Sequence, residues 1–300
     1  MEKRRTDLAV EAAQLWREGG NEGELPGVEQ TESVREGYPV TTVRILNDQG
    51  AKALGKPVGT YVTLTLEGLA RREQDAFGRA ARAVAAELSA LLKLPPKAPV
   101  LVVGLGNRAI TPDNIGPAAA DHTMVTRHLV EQVPEHFGCF RPVAALAAGV
   151  LGTTGVESGE LVKAVTEKIR PSSVIAVDAL ASRSLSRVCN TIQLADTGIT
   201  PGSGVGNARA ALDQRSLGVP VIAVGVPTVV DGATLAADLL AEAGQGDLDS
   251  QTLQGAGEGV LVTPRDIDAK VTDLAKVVGF GINLALQEGL TVEDVELYLS

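Results

Sequence analysis

The run Val100-Leu101-Val102-Val103-Gly104-Leu105-Gly106-Asn107-Arg108-Ala109-Ile110-Thr111-Pro112-Asp113-Asn114-Ile115-Gly116-Pro117 decides how this chain is read. Its first four residues are apolar without a break, and glycine, polar residues and proline follow. A short unbroken apolar run is a strand buried on both faces. Runs of the same kind recur at Val143–Leu146, Val174–Val177, Ile192–Leu194 and Val221–Val224. Helical periodicity fills Ile115–Val133, Val156–Ile169 and Val230–Ala243 between several of them. Strands separated by helices imply parallel crossovers. The prediction is an α/β fold: an open, mostly parallel sheet flanked by helices on both faces, three layers in all.

On the N-terminal side, Asp7–Arg17 places Leu8, Ala12, Leu15 and Trp16 on one helix face, ended by Gly19-Gly20. Gly19–Gly37 is polar and Gly-rich and predicts a loop. Val40–Leu46 and Val58–Leu66 alternate and are rich in Val and Thr, two strands of a small N-terminal β-containing elaboration. Ala70–Leu94 predicts one long helix closed by Pro95-Pro96. On the C-terminal side, Gln245–Gly259 predicts a flexible connection. Thr263 and Pro264 predict the N-cap and first position of a helix running to about Glu288, and a short acidic helix lies near Thr291–Leu299.

Composition narrows the function classes. The chain has 300 residues, 44% of them hydrophobic and 21% charged, enough for a sizeable core. Its net charge of −10 argues against direct binding of nucleic acid, which needs a basic face. No apolar run approaches the roughly 20 residues that cross a bilayer, and no apolar block follows the basic N-terminal residues. Two cysteines, Cys139 and Cys189, are too few for a disulfide framework or a Cys-type zinc site. The expectation is a soluble, intracellular protein.

Ligands of open α/β sheets sit outside the carboxyl ends of the strands, so the residues that follow each run carry the search. Gly104, Gly106 and Ala109 look like a dinucleotide fingerprint, but Pro112 would break the helix that the fingerprint needs. The alternative is a long loop that projects Asp113 over the sheet edge, where Asp178 also falls. Each aspartate read alone fits helix capping as well as catalysis. Together at one edge they suit peptide hydrolysis. Neighbouring carboxylates cannot both ionise cheaply, so one takes a proton from water while the other, protonated, polarises the carbonyl. Asp196 leads into a loop with Gly202, Gly204 and Gly206, whose N–H groups could line the site; a tight turn fits these residues equally well. His122 and His128 are six residues apart, on different helix faces, and no metal site is predicted.

GLGN with TPDNIGP (Gly104–Pro117) resembles the germination protease family of endospore-forming bacteria. So do RPVAALAAGVLGTTGVES (Arg141–Ser158), VIAVDALASRSLSRV (Val174–Val188), TIQLADTGITPGSGVGN (Thr191–Asn207) and GVPVIAVGVPTVVD (Gly218–Asp231). The likeness covers nearly the whole chain in order. It implies an atypical aspartic endopeptidase, related in fold to hydrogenase-maturation endopeptidases, that starts degradation of small acid-soluble spore proteins at germination. By the resemblance its catalytic aspartates are Asp113 and Asp178, with no metal or cofactor. The enzyme would be a homo-oligomer in the cytoplasm of the spore. It would prefer an acidic residue before the cut and a hydrophobic residue, then Ala, after it.

The family is made as a precursor that removes its own N-terminal peptide. Thr6-Asp7-Leu8-Ala9 has the substrate pattern, so self-cleavage is expected between Asp7 and Leu8, leaving residues 1–7 as propeptide and 8–300 as a single peptidase domain. The alternative for Asp7 is a cap on the first helix. The family carries a longer segment where only Leu240–Leu261 stands here. A pocket for an acidic side chain would draw on Arg127, Arg141, Arg183 or Arg187. Three other readings stand beside this one: Asp113 and Asp178 as metal ligands of a maturation-type peptidase, a dinucleotide-binding oxidoreductase using Gly104 and Gly106, and a non-catalytic scaffold.

Overall fold

The runs of residues that read as buried strands lie side by side in a computed structural model, which describes residues 6–19, 25–203, 209–242 and 259–300. Its strands are β1 (Val28–Arg35), β2 (Tyr38–Ile45), β3 (Gly59–Thr65), β4 (Val100–Leu105), β5 (Val143–Gly149), β6 (Ser173–Ser182), β7 (Thr191–Ala195), β8 (Val221–Asp231) and β9 (Leu261–Val262). They form one open sheet in the order β1-β2-β3-β7-β8-β6-β4-β5, with β9 beside β8. The central strands β8, β6, β4 and β5 are parallel neighbours, as the unbroken apolar runs predict. β7 runs antiparallel to β8, and β3 pairs with β7. The N-terminal β elaboration is therefore continuous with the main sheet, which is mixed.

Successive residues of the central strands bury on opposite faces. Leu101, Val103, Val174 and Ala176 pack with Val162 of the Ser158–Ile169 helix on one side. Val100, Val102, Ile175 and Val177 pack on the other with Val84, Leu88, Val277 and Val278. The first helices are α1 (Ala9–Glu18), α2 (Asp48–Leu54), α3 (Glu67–Ala70), α4 (Ala76–Leu92) and α5 (Ile115–Asp121). Among the described residues no helix is long and apolar enough to cross a membrane.

Several local expectations are corrected. The predicted Gly19–Gly37 loop contains β1, an edge strand whose side chains are mostly exposed. Its main chain pairs with β2 from Val28↔Ile45 to Arg35↔Tyr38, so no apolar alternation marks it. The predicted Ala70–Leu94 helix is broken by left-handed Arg72 and Asp75 and splits into α3 and α4. The Ile115–Val133 helix stops at Asp121, where buried Asn283 accepts the Met124 N–H at 2.8 Å and donates to the His122 carbonyl at 2.8 Å. Those bonds replace the next helical ones. Thr263 caps nothing: its hydroxyl donates to the Thr228 carbonyl, and the helix begins later, at Ile267. Gly204, Gly206, the first five residues and most of the Leu240–Leu261 connection lie outside the described residues.

Candidate active site

The site forms where β6 outruns β4. Their pairing ends at Gly104↔Val177, while β6 stays paired with β8 from Asp178↔Gly225 to Ser182↔Val230. Asp178 is the first residue of β6 past its pairing with β4. The chain leaves β4 and β6 in opposite directions, to β5 and to β7, which makes this the switch point of the parallel half.

Three glycines bring Asp113 to that point. The loop after β4 folds back so closely that a Cβ on Gly106 (φ +114°) would sit 2.1 Å from the Asp113 carbonyl oxygen. A Cβ on Gly104 would meet the Gly116 carbonyl oxygen at 2.2 Å, and one on Gly116 would meet that of Leu105 at 2.2 Å and of Val177 at 2.4 Å. The glycine spacing thus serves the close approach of the chain's own loop. Asp113 ends a short 3-10 turn, Thr111–Asp113, and its Oδ2 accepts the Asn107 N–H at 2.8 Å. Asp178 Oδ1 accepts the Ala179 N–H at 2.9 Å. Neither caps a helix: α5 begins after Asn114 without a side-chain cap, and Asp178 lies inside β6.

Both aspartates line a cavity of about 350 Å³ together with Asp7, Gly202, Ser203, Arg209 and Thr228. Burial, and then the charge of Asp113, push the Asp178 carboxyl well above the usual carboxylate range. Burial also raises Asp113, but the Asn107 N–H and the charge of Arg209 pull against it. Burial and the neighbouring charge thus make Asp178 the harder of the two carboxyls to ionise, and Asp113 the easier. The Thr228 hydroxyl is buried in the cavity wall without a hydrogen-bond partner among the described residues.

Asp7, from the chain's own Thr-Asp-Leu-Ala segment, lines the same cavity. The Asp7 N–H donates to the Ala181 carbonyl at 2.9 Å, adding a strand-like contact to β6. Its carboxylate accepts from the Ala181 N–H and the Ser203 hydroxyl, each at 2.9 Å, rather than capping α1. Leu8 is fully buried beside Val10, Leu180 and Ile199, and Ala9 is fully buried against the α1–α2 cluster. Glu11, 1% exposed, anchors α1: it accepts from the Ser182 hydroxyl, from the N–H groups of Arg183 and Ser184 and from Thr6 Oγ1, with Arg187 at 3.4 Å.

Other sequence candidates sit elsewhere. Asp196 is exposed; its Oδ1 accepts the Thr60 N–H at 2.7 Å and does not line the cavity. Arg127 pairs with Glu131, Arg141 donates to the carbonyls of Leu286, Pro95 and Ala98, Arg183 pairs with Asp238 and Glu18, and Arg187 with Glu11. None of the four lines the cavity. Its cation is Arg209, paired with Glu157 at 2.7 Å, a residue that sequence reasoning missed. Its one signal was its place just after the Gly202–Gly206 loop. Ser203, Lys56 and Gln193, which touch Asp7, were missed as well. Among the described residues no group of three or more His, Cys, Asp or Glu is placed to hold a metal ion.

A family model described as germination protease matches residues 6–242, which include Asp7, Asp113, Asp178 and Arg209. The chain belongs to the germination protease family. Curated germination proteases of Caldanaerobacter subterraneus subsp. tengcongensis, Clostridium perfringens and Bacillus velezensis are 44%, 42% and 38% identical to it. The matches cover 98%, 99% and 98% of this chain and 98%, 99% and 96% of those proteins. As a member of the germination protease family, the protein is a peptidase. The alignment with the Bacillus relative runs over 354 positions against 321 for the Caldanaerobacter one, so the Bacillus relative departs more in length.

Proposed function

We propose that this peptidase is a spore endopeptidase that cuts after Asp or Glu, before a hydrophobic residue and Ala, and that it first cuts its own Asp7–Leu8 bond. Small acid-soluble spore proteins are its substrates in this reading. The net charge of −10 suits them, since DNA-protecting proteins present basic surfaces. The observation that carries the reading is the place of Asp7, at the head of the Asp7-Leu8-Ala9 step, in the cavity of both aspartates. The carboxylate before the bond has its own donors, the leucine after it a closed apolar seat, and the alanine is fully buried.

Asp113, ionised, takes a proton from water as the water oxygen adds to the carbonyl carbon. Asp178, protonated, supplies the proton that the leaving nitrogen needs. The pair titrates as a unit. The precursor keeps its segment in place through Glu11, and the homo-oligomer implied by the resemblance belongs to this proposal too.

The test is cleavage of a synthetic peptide with an acidic–hydrophobic–Ala step, read by mass spectrometry beside the full chain's own loss of residues 1–7. Cleavage after the acidic residue, unaffected by EDTA and lost in Asp113→Asn and Asp178→Asn, supports the aspartate pair. Cleavage abolished by EDTA moves both aspartates to metal ligands and overturns it. Light scattering measures the assembly.

A further inference from the structure

The Asp7 carbonyl oxygen, on the acyl side of the bond to Leu8, accepts two hydrogen bonds: from Lys56 Nζ at 2.8 Å and from Gln193 Nε2 at 3.1 Å. The other end of the same amide, Gln193 Oε1, accepts the Ala9 N–H at 2.7 Å. This is the only amide orientation that satisfies both partners. One glutamine therefore spans the Asp7–Leu8 bond.

Both groups are held from behind. Gln193 is buried in β7, paired to Thr63 of β3 and Gly225 of β8. Lys56 follows the left-handed Gly55 that ends α2, and the Tyr61 hydroxyl pins the next carbonyl, that of Pro57, at 2.9 Å. Lys56 and Gln193 line a second cavity of about 250 Å³, which shares Asp7 with the cavity of Asp113 and Asp178. The scissile residue thus meets the aspartates in one cavity and this pair in the other.

We propose that Lys56 and Gln193 form the oxyanion-stabilising pair of the reaction, acting on the carbonyl oxygen of whichever residue precedes the cut. This rests on the aspartate-pair reading for the activation of water. A water oxygen forms a bond to the carbonyl carbon and gives one proton to Asp113. The C=O π pair moves to oxygen, where the Lys56 ammonium and the Gln193 N–H hold the charge. When that pair returns, the C–N bond breaks and its electrons go to the Leu8 nitrogen, which takes the Asp178 proton. The products are the Asp7 carboxyl and a free Leu8 amine, and a proton passing from Asp113 to Asp178 resets the pair. Both donors already reach the ground-state carbonyl oxygen, so the charge that develops there meets them without a large movement, and the surrounding protein replaces much of the water that would weaken them. Burial lowers the Lys56 pKa, and the charges of Asp7 and Glu11 oppose that shift.

The experiment compares Lys56→Met, Lys56→Arg and Gln193→Met with the full chain. The readouts are single-turnover loss of residues 1–7, kcat and KM on the acidic–hydrophobic–Ala peptide, and a melting curve. Removing one such donor costs about 10²–10³-fold in kcat. That loss is expected in Lys56→Met and Gln193→Met with KM nearly unchanged, and Lys56→Arg should recover part of it. If Lys56→Met fails to melt cooperatively, Lys56→Arg and Gln193→Met carry the comparison. An unchanged kcat with a raised KM, in a chain that still needs both aspartates, overturns the oxyanion role alone. Aspartate variants that cut as fast as the parent overturn the aspartate reading and this one with it.

Discussion

Gly116→Ala isolates the geometry that places Asp113. The new methyl carbon would stand 2.2 Å from the Leu105 carbonyl oxygen and 2.4 Å from that of Val177. Carbon–oxygen contacts of this kind settle at about 3.3–3.6 Å, so the start of α5 must lift by about 1 Å. β4 and β6 cannot yield, because each is hydrogen-bonded on both sides. Overpacking of this kind costs about 1–3 kcal/mol, or a few degrees in melting temperature at about 2–4 °C per kcal/mol. Most of the chain stays folded, since domains have about 5–15 kcal/mol in hand. Asp113 lies three residues upstream and moves with the lift, and a misplacement of about 1 Å costs about 10²-fold in rate. The expected result is a hundredfold loss of self-processing and of peptide kcat in a protein that melts only slightly lower. Gly218→Ala is the control: φ is +74° with open space around the site of the Cβ, so it should cost about 1 kcal/mol and leave activity alone. If Gly116→Ala loses activity only in proportion to its unfolded fraction, the close approach does not position the aspartate.

Four further outcomes test the charges, the anchors and the buried thiol. The rate should rise with pH as Asp113 ionises and fall as Asp178 loses its proton, with both limbs above pH 3.8 because both groups are raised; a profile flat across the acidic and neutral range refutes the pair. A carboxyl whose folded pKa is raised adds stability that is full below its unfolded value and lost as pH climbs through the folded one. Asp178→Asn should therefore resist denaturant better than the parent at neutral pH and no better below pH 3.8. Glu11→Ala leaves two backbone N–H groups and Arg187 without their buried acceptor, a cost of about 2–4 kcal/mol. It should slow self-processing more than cleavage of an added peptide, and equal losses would show that Glu11 does not seat the segment. Finally, burial pushes the Cys189 thiol up to about 11, so a thiol reagent near neutral pH should modify exposed Cys139 alone until denaturant is added.

The parallel centre was legible because burial on both faces forces unbroken apolar runs, and that requirement is local to each strand. Asp113 and Asp178 were legible for a related reason: the carboxyl ends of such strands are where groups can leave the sheet. What failed had a physical cause outside the segment read. The Ile115–Val133 periodicity continues past Asp121, yet Asn283 from a distant helix takes over the backbone groups there. β1 carries no apolar alternation because only its main chain is used.

The substrate-facing half of the site follows the same logic. Asp7, Lys56 and Gln193 are far apart in the chain and carry no shared motif. They meet because β7 inserts antiparallel between β3 and β8, which sets Gln193 and the turn after α2 against a segment laid along the end of β6. A stretch such as Ile192-Gln193-Leu194 says that its strand is buried and nothing about its direction. Reversing that one strand decides which flank of the switch point supplies donors. The aspartates belong to the parallel half and the carbonyl donors to the antiparallel half. The seam between β6 and β8 on one side and β7 on the other is therefore where a peptide bond can be held by both, and a change confined to either half should separate binding from chemistry.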